Sequence, residues 1–142
     1  MKFPQTTALE LADNIREIGR NGCLAMCYIF CAGIDPENEI EYLRTVNNAI
    51  KANILEKDCT VKDAEKFIQW LTGRKTTVVK KLLQETSGIT EPTPVRYKAE
   101  GKDGHWVVVE NGKIVFNSVS NSVNVTKGKP VEARIIKWGL KK

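Results

Sequence analysis

Residues 21–30 read NGCLAMCYIF and form the longest apolar run of the 142-residue chain. Gly22 lies just before the apolar part of this run, and Gly33 follows it. A helix that is apolar on all sides must be buried on most of them, so we expect other elements to surround it. About a dozen residues are too few to cross a bilayer as a helix, which takes about 20. The stretch therefore predicts a central core helix that begins at Cys23.

Cys23 would lie at a helix N-terminus, where unpaired backbone N–H groups and the helix dipole favour negative charge. Such a position lowers the pKa of a thiol and makes it a nucleophile, so we expect Cys23 to be reactive if the chain supplies a base. Cys27, Cys31 and Cys59 are interpreted as reduced core thiols. A zinc site needs four converging ligands, and no Cys-x-x-Cys pair is present, so we expect neither a metal nor another cofactor.

The composition is that of an ordinary globular protein, with 42% hydrophobic and 27% charged residues and a net charge of +5. The basic residues are scattered, which is typical of a solvated lysine-rich surface, so we do not expect nucleic acid as a partner. Neither a signal peptide nor a transmembrane segment is evident in the sequence, so we expect a cytoplasmic protein without membrane insertion. The oligomeric state is left open.

Helical spacing dominates the front of the chain, and capping residues mark where helices begin. The predicted helices start near Thr7, Cys23, Asp35 and Thr60, and the first of them ends near Gly19. The helix after Thr60 would bury Phe67 and Ile68 and stop at Gly73. Residues 76–84 fit a strand as well as a helix, and we favour a short helix there.

Residues after the Pro-rich segment 91–94 have strand character. Asn111-Gly112 is a strong signal for a hairpin with a type I′ turn. The predicted strands cover residues 95–100, 105–110, 113–117 and 131–138. Helices followed by an antiparallel meander predict an α+β fold, in which N-terminal helices pack on a C-terminal antiparallel sheet. We predict one domain over residues 1–142, with a helical half at 1–86 and a β half at 93–138.

His105 is the only histidine, and it opens the second predicted strand on the same face as Val107. Pairing across the hairpin places Asn117 within one position of the residue opposite His105. That is close enough for an amide to orient an imidazole. A nucleophile, a base and a group that fixes the base are the parts of a generalised catalytic triad. We therefore predict that Cys23 attacks an amide carbonyl, that His105 acts as general base and then acid, and that Asn117 orients His105.

The order of a Cys on an early helix, then a His and an Asn on a late sheet, resembles that of the papain-like cysteine peptidase superfamily. Within it the chain looks closest to small bacterial and phage proteins similar to bacteriocin-leader peptidases, and to an uncharacterised spirochaete family. The resemblance implies a papain-like fold and a peptidase or amidase that cleaves an amide bond in a peptide or peptidoglycan-like substrate. The matching pieces are Gly22-Cys23-Leu24-Ala25-Met26, Lys57-Asp58-Cys59-Thr60-Val61, His105-Trp106-Val107-Val108-Val109, Phe116-Asn117-Ser118, Ser122-Val123 and Gly128.

The chain departs from the family pattern at two motifs. The family more often has Asp-Pro in place of Asn117-Ser118, although Asn also orients the histidine of papain-type enzymes. Its leader-peptidase branch has Cys-Gly-Pro in place of Cys23-Leu24-Ala25. The alternative function, which the lack of a Gln to bind the oxyanion motivates, is a catalytically inactive papain-like module that binds a peptide, phage or envelope partner.

A third departure concerns the group that binds the oxyanion. Papain-like enzymes place a Gln shortly before the nucleophile, where this chain has Arg16 and Glu17. Asn21 is one candidate for the role, and Gln5 is another if the chain folds back. The backbone N–H of Cys23 itself would supply the second donor.

Overall fold

The computed structural model describes residues 23–33, 39–57, 60–102, 104–117 and 123–139. In these ranges the chain has an α+β fold of four helices and one five-stranded antiparallel sheet. The helices are α1 (Cys23–Cys31), α2 (Glu39–Lys51), α3 (Ala64–Thr72) and α4 (Val123–Thr126). The strands are β1 (Thr76–Leu82), β2 (Thr93–Lys98), β3 (His105–Glu110), β4 (Lys113–Phe116) and β5 (Lys129–Trp138).

Helix α1 lies at the centre of the core, as its all-round apolar sequence predicted. Ala25, Tyr28 and Ile29 are buried in one cluster with residues of α2 and α3. The rings of Tyr28 and Phe67 meet edge to face at 6.3 Å between centroids. On its other side, Cys27 packs against the sheet, in a cluster with two side chains of β3. Since a fully buried apolar side chain stabilises a fold by about 1.5–3 kcal/mol, these contacts hold α1 firmly in place.

The sheet order is β1-β5-β2-β3-β4, and every neighbouring pair is antiparallel. Strands β2, β3 and β4 form the predicted meander. The last strand does not continue it at the edge, because β5 crosses back and pairs with β2 on one side and β1 on the other. The prediction of a simple meander is therefore wrong in this respect. Pairing on both sides buries the middle of β5, where Glu132 is nearly and Ala133 fully buried.

Residues 76–84, predicted as a short helix, contain strand β1 instead. All seven residues of β1 pair with β5. The run of β-branched side chains over 76–79 suits a pleated strand, and the partner strand supplies the hydrogen bonds that a short isolated helix would lack. The sheet therefore includes one strand, β1, from residues 1–86, which were predicted to form the helical half.

Local signals set the ends of the helices and the hairpin turn; the stop at Gly73 and the Asn-Gly turn are as predicted, whereas the helix predicted to start near Thr60 begins at Ala64. Gly33 follows α1 with a φ of +92°, and Gly73 ends α3 with a φ of +72°. The side chain of Asp63 caps α3 by accepting a hydrogen bond from a first-turn N–H at 3.0 Å. Asn111 and Gly112 both have positive φ, as the type I′ turn between β3 and β4 requires.

The two faces of the sheet are covered by different groups. Trp106 and Val108 of β3 face α1. Val107 and Val109 point to the opposite face, where they pack in a second cluster with Val95 and neighbours. This alternation is the expected period of two along a strand.

Several predicted features lie outside the described residues. They are the helix from Thr7 to Gly19, the start of α2 at Asp35, the thiol of Cys59 and the polar segment 118–122. Within the described ranges, none of the helices combines the length and the apolar character that a bilayer crossing requires.

Gly128, between α4 and β5, is expected to be intolerant of a side chain. A Cβ at this position would overlap the carbonyl oxygen of Asn124 and the backbone of Lys98, which cannot move aside as a flexible side chain would. We expect Gly128→Ala to lower the free energy of unfolding by about 1–3 kcal/mol in urea titration. Gly88→Ala is the matched control, because a Cβ there meets nothing within 4 Å. Equal stability of the two variants would contradict this prediction.

Candidate active site

Cys23 is the first residue of α1, and its side chain is half-buried. Three backbone N–H groups lie close enough to its sulfur to lower the pKa of the thiol, namely those of Trp106, Leu24 and Cys23 itself. Two of these donors belong to the unpaired N-terminal turn of α1. The third belongs to β3 and comes from the residue that follows His105 in the chain. The contact between α1 and β3 therefore brings the sulfur beside the start of the strand that carries the histidine.

The pKa of the Cys23 thiol is raised above its usual range, because burial penalises the thiolate more than the surrounding donors stabilise it. The three backbone N–H groups lower the pKa but do not offset burial. The helix N-terminus was expected to lower the pKa of Cys23, but burial outweighs that effect. A neutral thiol at this position needs a base to take its proton.

The Cys23 sulfur lies beside the part of β3 that precedes its pairing with β4. Among the described residues, β4 pairs with β3 only from Val108 to Glu110, so residues 105–107 of β3 have no strand beside them on that side. A strand N–H points along the sheet rather than out of either face. Because β2 occupies the other side of Trp106, a sulfur beside its N–H lies near the edge of β3. Cys23 packs with Trp106 and Val108 on the face that meets α1, whereas the His105 side chain lies on the opposite face of the same strand.

His105 is 7% exposed and shares a face with Val107 and Val109. Its Nε2 and the Oδ1 of Asn117 are 2.8 Å apart. A carbonyl oxygen only accepts, so Nε2 carries the hydrogen and donates it. In the neutral ring, the other nitrogen, Nδ1, then bears the lone pair and is the basic atom.

A β-bulge in β4 places Asn117 on the face of His105. The register runs Glu110 opposite Lys113 and Val109 opposite Ile114, and then shifts so that Val108 lies opposite Phe116. Val115 is the extra residue. If Val115 instead paired with Val108 in regular register, Asn117 would lie opposite Trp106 on the face that packs on α1. With the bulge, Asn117 falls opposite Val107 and on the same face as the imidazole. Bulges commonly re-aim side chains in this way beside active sites.

The pKa of His105 is lowered from its usual value, because burial disfavours the imidazolium. The hydrogen bond to Asn117 acts in the opposite direction and raises it, but burial is the larger effect. The imidazole is thus neutral at pH 7 and able to accept a proton. At rest, the edge of β3 holds a neutral thiol and a neutral base.

The structure brings Asn117 to His105 and sets Cys23 against the next residue of the same strand. The two candidates for the oxyanion group, Asn21 and Gln5, lie outside the described residues. The position of the Trp106 N–H beside the sulfur could not be predicted from the sequence, because nearly every residue has a backbone N–H.

The remaining described thiols belong to the core. Burial raises the pKa of Cys27 well above its usual range and that of Cys31 to about 12. In the described part of the chain, no group of three or more His, Cys, Asp or Glu side chains is arranged to hold a metal ion.

Removal of the Asn117 amide is expected to lower the pKa of His105 further, because the bond to Asn117 opposes the effect of burial. His105 is the only histidine, so its ring resonances are unambiguous in an NMR pH titration of Asn117→Ala. Asn48→Ala, on an exposed position of α2, is the matched control and should leave the titration unchanged. An unaltered His105 titration in Asn117→Ala would show that the bond does not act on the imidazole.

Comparison with known proteins adds no relative: the sequence matches no family model and no curated protein, and no solved structure matches the fold. A functional proposal for this chain therefore rests on the geometry and electrostatics of its own residues.

Proposed function

We propose that this protein is a papain-like cysteine peptidase or amidase with Cys23 as nucleophile. The observation that carries the proposal is the 2.8 Å bond between His105 Nε2 and Asn117 Oδ1 at the sheet edge where the Cys23 sulfur meets β3. A nucleophile beside a base that is held by a third group is the arrangement that acyl transfer requires. The papain-like fold is part of this proposal.

In the proposed reaction, Nδ1 of His105 accepts the proton of the Cys23 thiol as the sulfur attacks the carbonyl carbon of an amide. The oxyanion of the tetrahedral intermediate is stabilised by backbone N–H groups at the start of α1. His105 then gives its proton to the leaving amine, and the C–N bond breaks to leave a thioester on Cys23. Water, deprotonated by the same imidazole, attacks the thioester and releases the acid and the thiol.

The protonation states favour proton transfer during attack rather than a preformed ion pair. Burial raises the pKa of Cys23 and lowers that of His105, so separated charges are disfavoured in the resting site. As attack proceeds, Asn117 stabilises the imidazolium and the backbone donors stabilise the developing negative charge. The same environment that keeps the resting pair neutral therefore provides partners for both charges in the transition state.

A catalytically inactive module that binds a peptide is the second candidate. The observation in its favour is the burial of Cys23, whose thiol pKa is raised rather than lowered. In such a module the thiol would be a packing group, and His105 would not influence its reactivity.

Alkylation of Cys23 by iodoacetamide distinguishes the two functions without knowledge of the substrate. If His105 acts as base, the rate should persist at neutral pH and fall as pH drops through a His105 pKa below its usual value. His105→Ala should then lower the neutral-pH rate by about a hundredfold or more. In His105→Ala, Cys23 should react with iodoacetamide only at alkaline pH, where the buried thiol ionises.

Peptide mapping by mass spectrometry assigns the labelled thiol, and Cys23→Ser provides the blank. Asn117→Asp is the matched variant for Asn117→Ala: a carboxylate still orients the imidazole, so Asp should retain the neutral-pH rate that Ala loses. Identical pH profiles for the wild type and His105→Ala would exclude the hydrolase and leave the binding module.

A further inference from the structure

A buried carboxylate surrounded by three cations lies on the sheet face that packs on α1. Glu132 of β5 is 5% exposed. Its oxygens are 2.8 Å from Arg96 Nε, 3.5 Å from Lys80 Nζ and 3.6 Å from a terminal nitrogen of Arg134. We call these four residues the cation cluster. A single carboxylate cannot neutralise three cations, so the cluster carries an excess of positive charge.

The cation cluster adjoins the proposed nucleophile. The guanidinium of Arg134 stands over the ring of Trp106 at 5.4 Å from its centroid. The backbone N–H of the same tryptophan binds the sulfur of Cys23. Trp106 therefore lies between the two groups: its ring contacts the Arg134 guanidinium, and its backbone N–H lies beside the Cys23 thiol.

The cluster keeps binding capacity for an outside group. The side chains of Lys80, Arg96 and Arg134 are 56%, 32% and 31% exposed, so solvent reaches all three. Among the described residues, Arg134 Nε has no hydrogen-bond partner, and neither does the hydroxyl of Tyr28, which is 1% exposed. The charges of Arg134 and Glu132 act on that hydroxyl, so an unpartnered donor is buried beside the cluster.

We propose that the cation cluster recognises a carboxylate side chain of the substrate, so that the enzyme cleaves acidic peptides. This inference rests on the proposed function, since it names the substrate class of the same site. Guanidinium groups present paired N–H donors that match a carboxylate, and the partly buried setting strengthens the attraction. An Asp or Glu near the scissile amide would supply the negative charge that Glu132 alone does not.

The first test compares two alkylating reagents that differ in charge, iodoacetate and iodoacetamide, at Cys23. Lys80→Gln and Arg134→Gln should each lower the iodoacetate-to-iodoacetamide rate ratio several-fold. Glu132→Gln removes the internal anion and should raise the ratio, whereas the two cation variants lower it. A general loss of packing would not change the ratio in opposite directions. Lys137→Gln makes the same charge change on the opposite face of β5, where Lys137 is exposed, and should leave the ratio unchanged. At about 1 M salt, where the Debye length is about 3 Å, the differences should shrink.

The second test measures binding by calorimetry with the catalytically silent Cys23→Ala variant. A hexapeptide that contains two Glu residues should bind at least about tenfold more tightly than the same peptide with Gln. Adding Lys80→Gln, at the most exposed cation, should remove this preference, whereas adding Lys137→Gln should not. Equal affinities for the two peptides, or no binding of either, would overturn the proposal.

The hydrolase proposal and the proposal of acidic-peptide recognition can be rejected by different results. Identical iodoacetamide pH profiles for the wild type and His105→Ala would reject the hydrolase whatever the charge preference. An unchanged reagent ratio in Lys80→Gln and Glu132→Gln, together with equal affinities for the two peptides, would reject acidic-peptide recognition while the response to His105→Ala persists.

Discussion

The contact between α1 and β3 is the constraint on which the rest of the structure depends. Helix α1 is apolar on every side, so α2 and α3 must cover one flank while the sheet covers the other. A slide along the helix axis by one turn, about 5.4 Å, would uncover buried side chains on both flanks. It would also replace Cys23 by Cys27 at the Trp106 backbone. The hydrophobic core thereby fixes which thiol lies beside the Trp106 backbone.

The polar groups at that contact are balanced between two opposing requirements. Burial against Trp106 and α1 excludes water, which strengthens every hydrogen bond there. Burial also opposes charge, so it raises the pKa of Cys23 and, on the other face of β3, lowers that of His105. Asn117 and the backbone donors partly offset this penalty, each beside the atom on which charge would appear. A site built in this way can be stable at rest and still support a brief separation of charge.

Local features of the chain could be predicted from the sequence, and non-local pairings could not. The end of α3 at Gly73 and the Asn-Gly turn depend on neighbouring residues alone, and both were predicted, whereas the start of α3 was predicted near Thr60 and lies at Ala64, with Asp63 as its cap. Strand β1 was wrongly assigned to a helix, because its conformation is decided by β5, more than forty residues further along. The position of β5 between β1 and β2 likewise depends on pairing between strands that are far apart in the sequence.

The candidate site shows the same limit. The residue types Cys23, His105 and Asn117 were recognisable, because thiol, imidazole and amide carry distinctive chemistry. The direction of the Cys23 pKa shift could not be predicted from the sequence, because it depends on how deeply α1 is buried. The cation cluster was missed as well, since Lys80, Arg96 and Glu132 come from three strands that adjoin only in the folded sheet.

The bulge at Val115 makes the placement of Asn117 depend on strand register rather than on residue identity. If Val115 paired with Val108 in regular register, the same residues would be present, but the amide would emerge opposite Trp106, on the face that packs on α1. The imidazole would then lose its partner, although the Asn-Gly turn and the core around α1 would persist. A substitution that disfavours the bulge would therefore abolish the proposed site without changing Cys23, His105 or Asn117, so the presence of these three residues in a related chain would not be enough to infer the same chemistry.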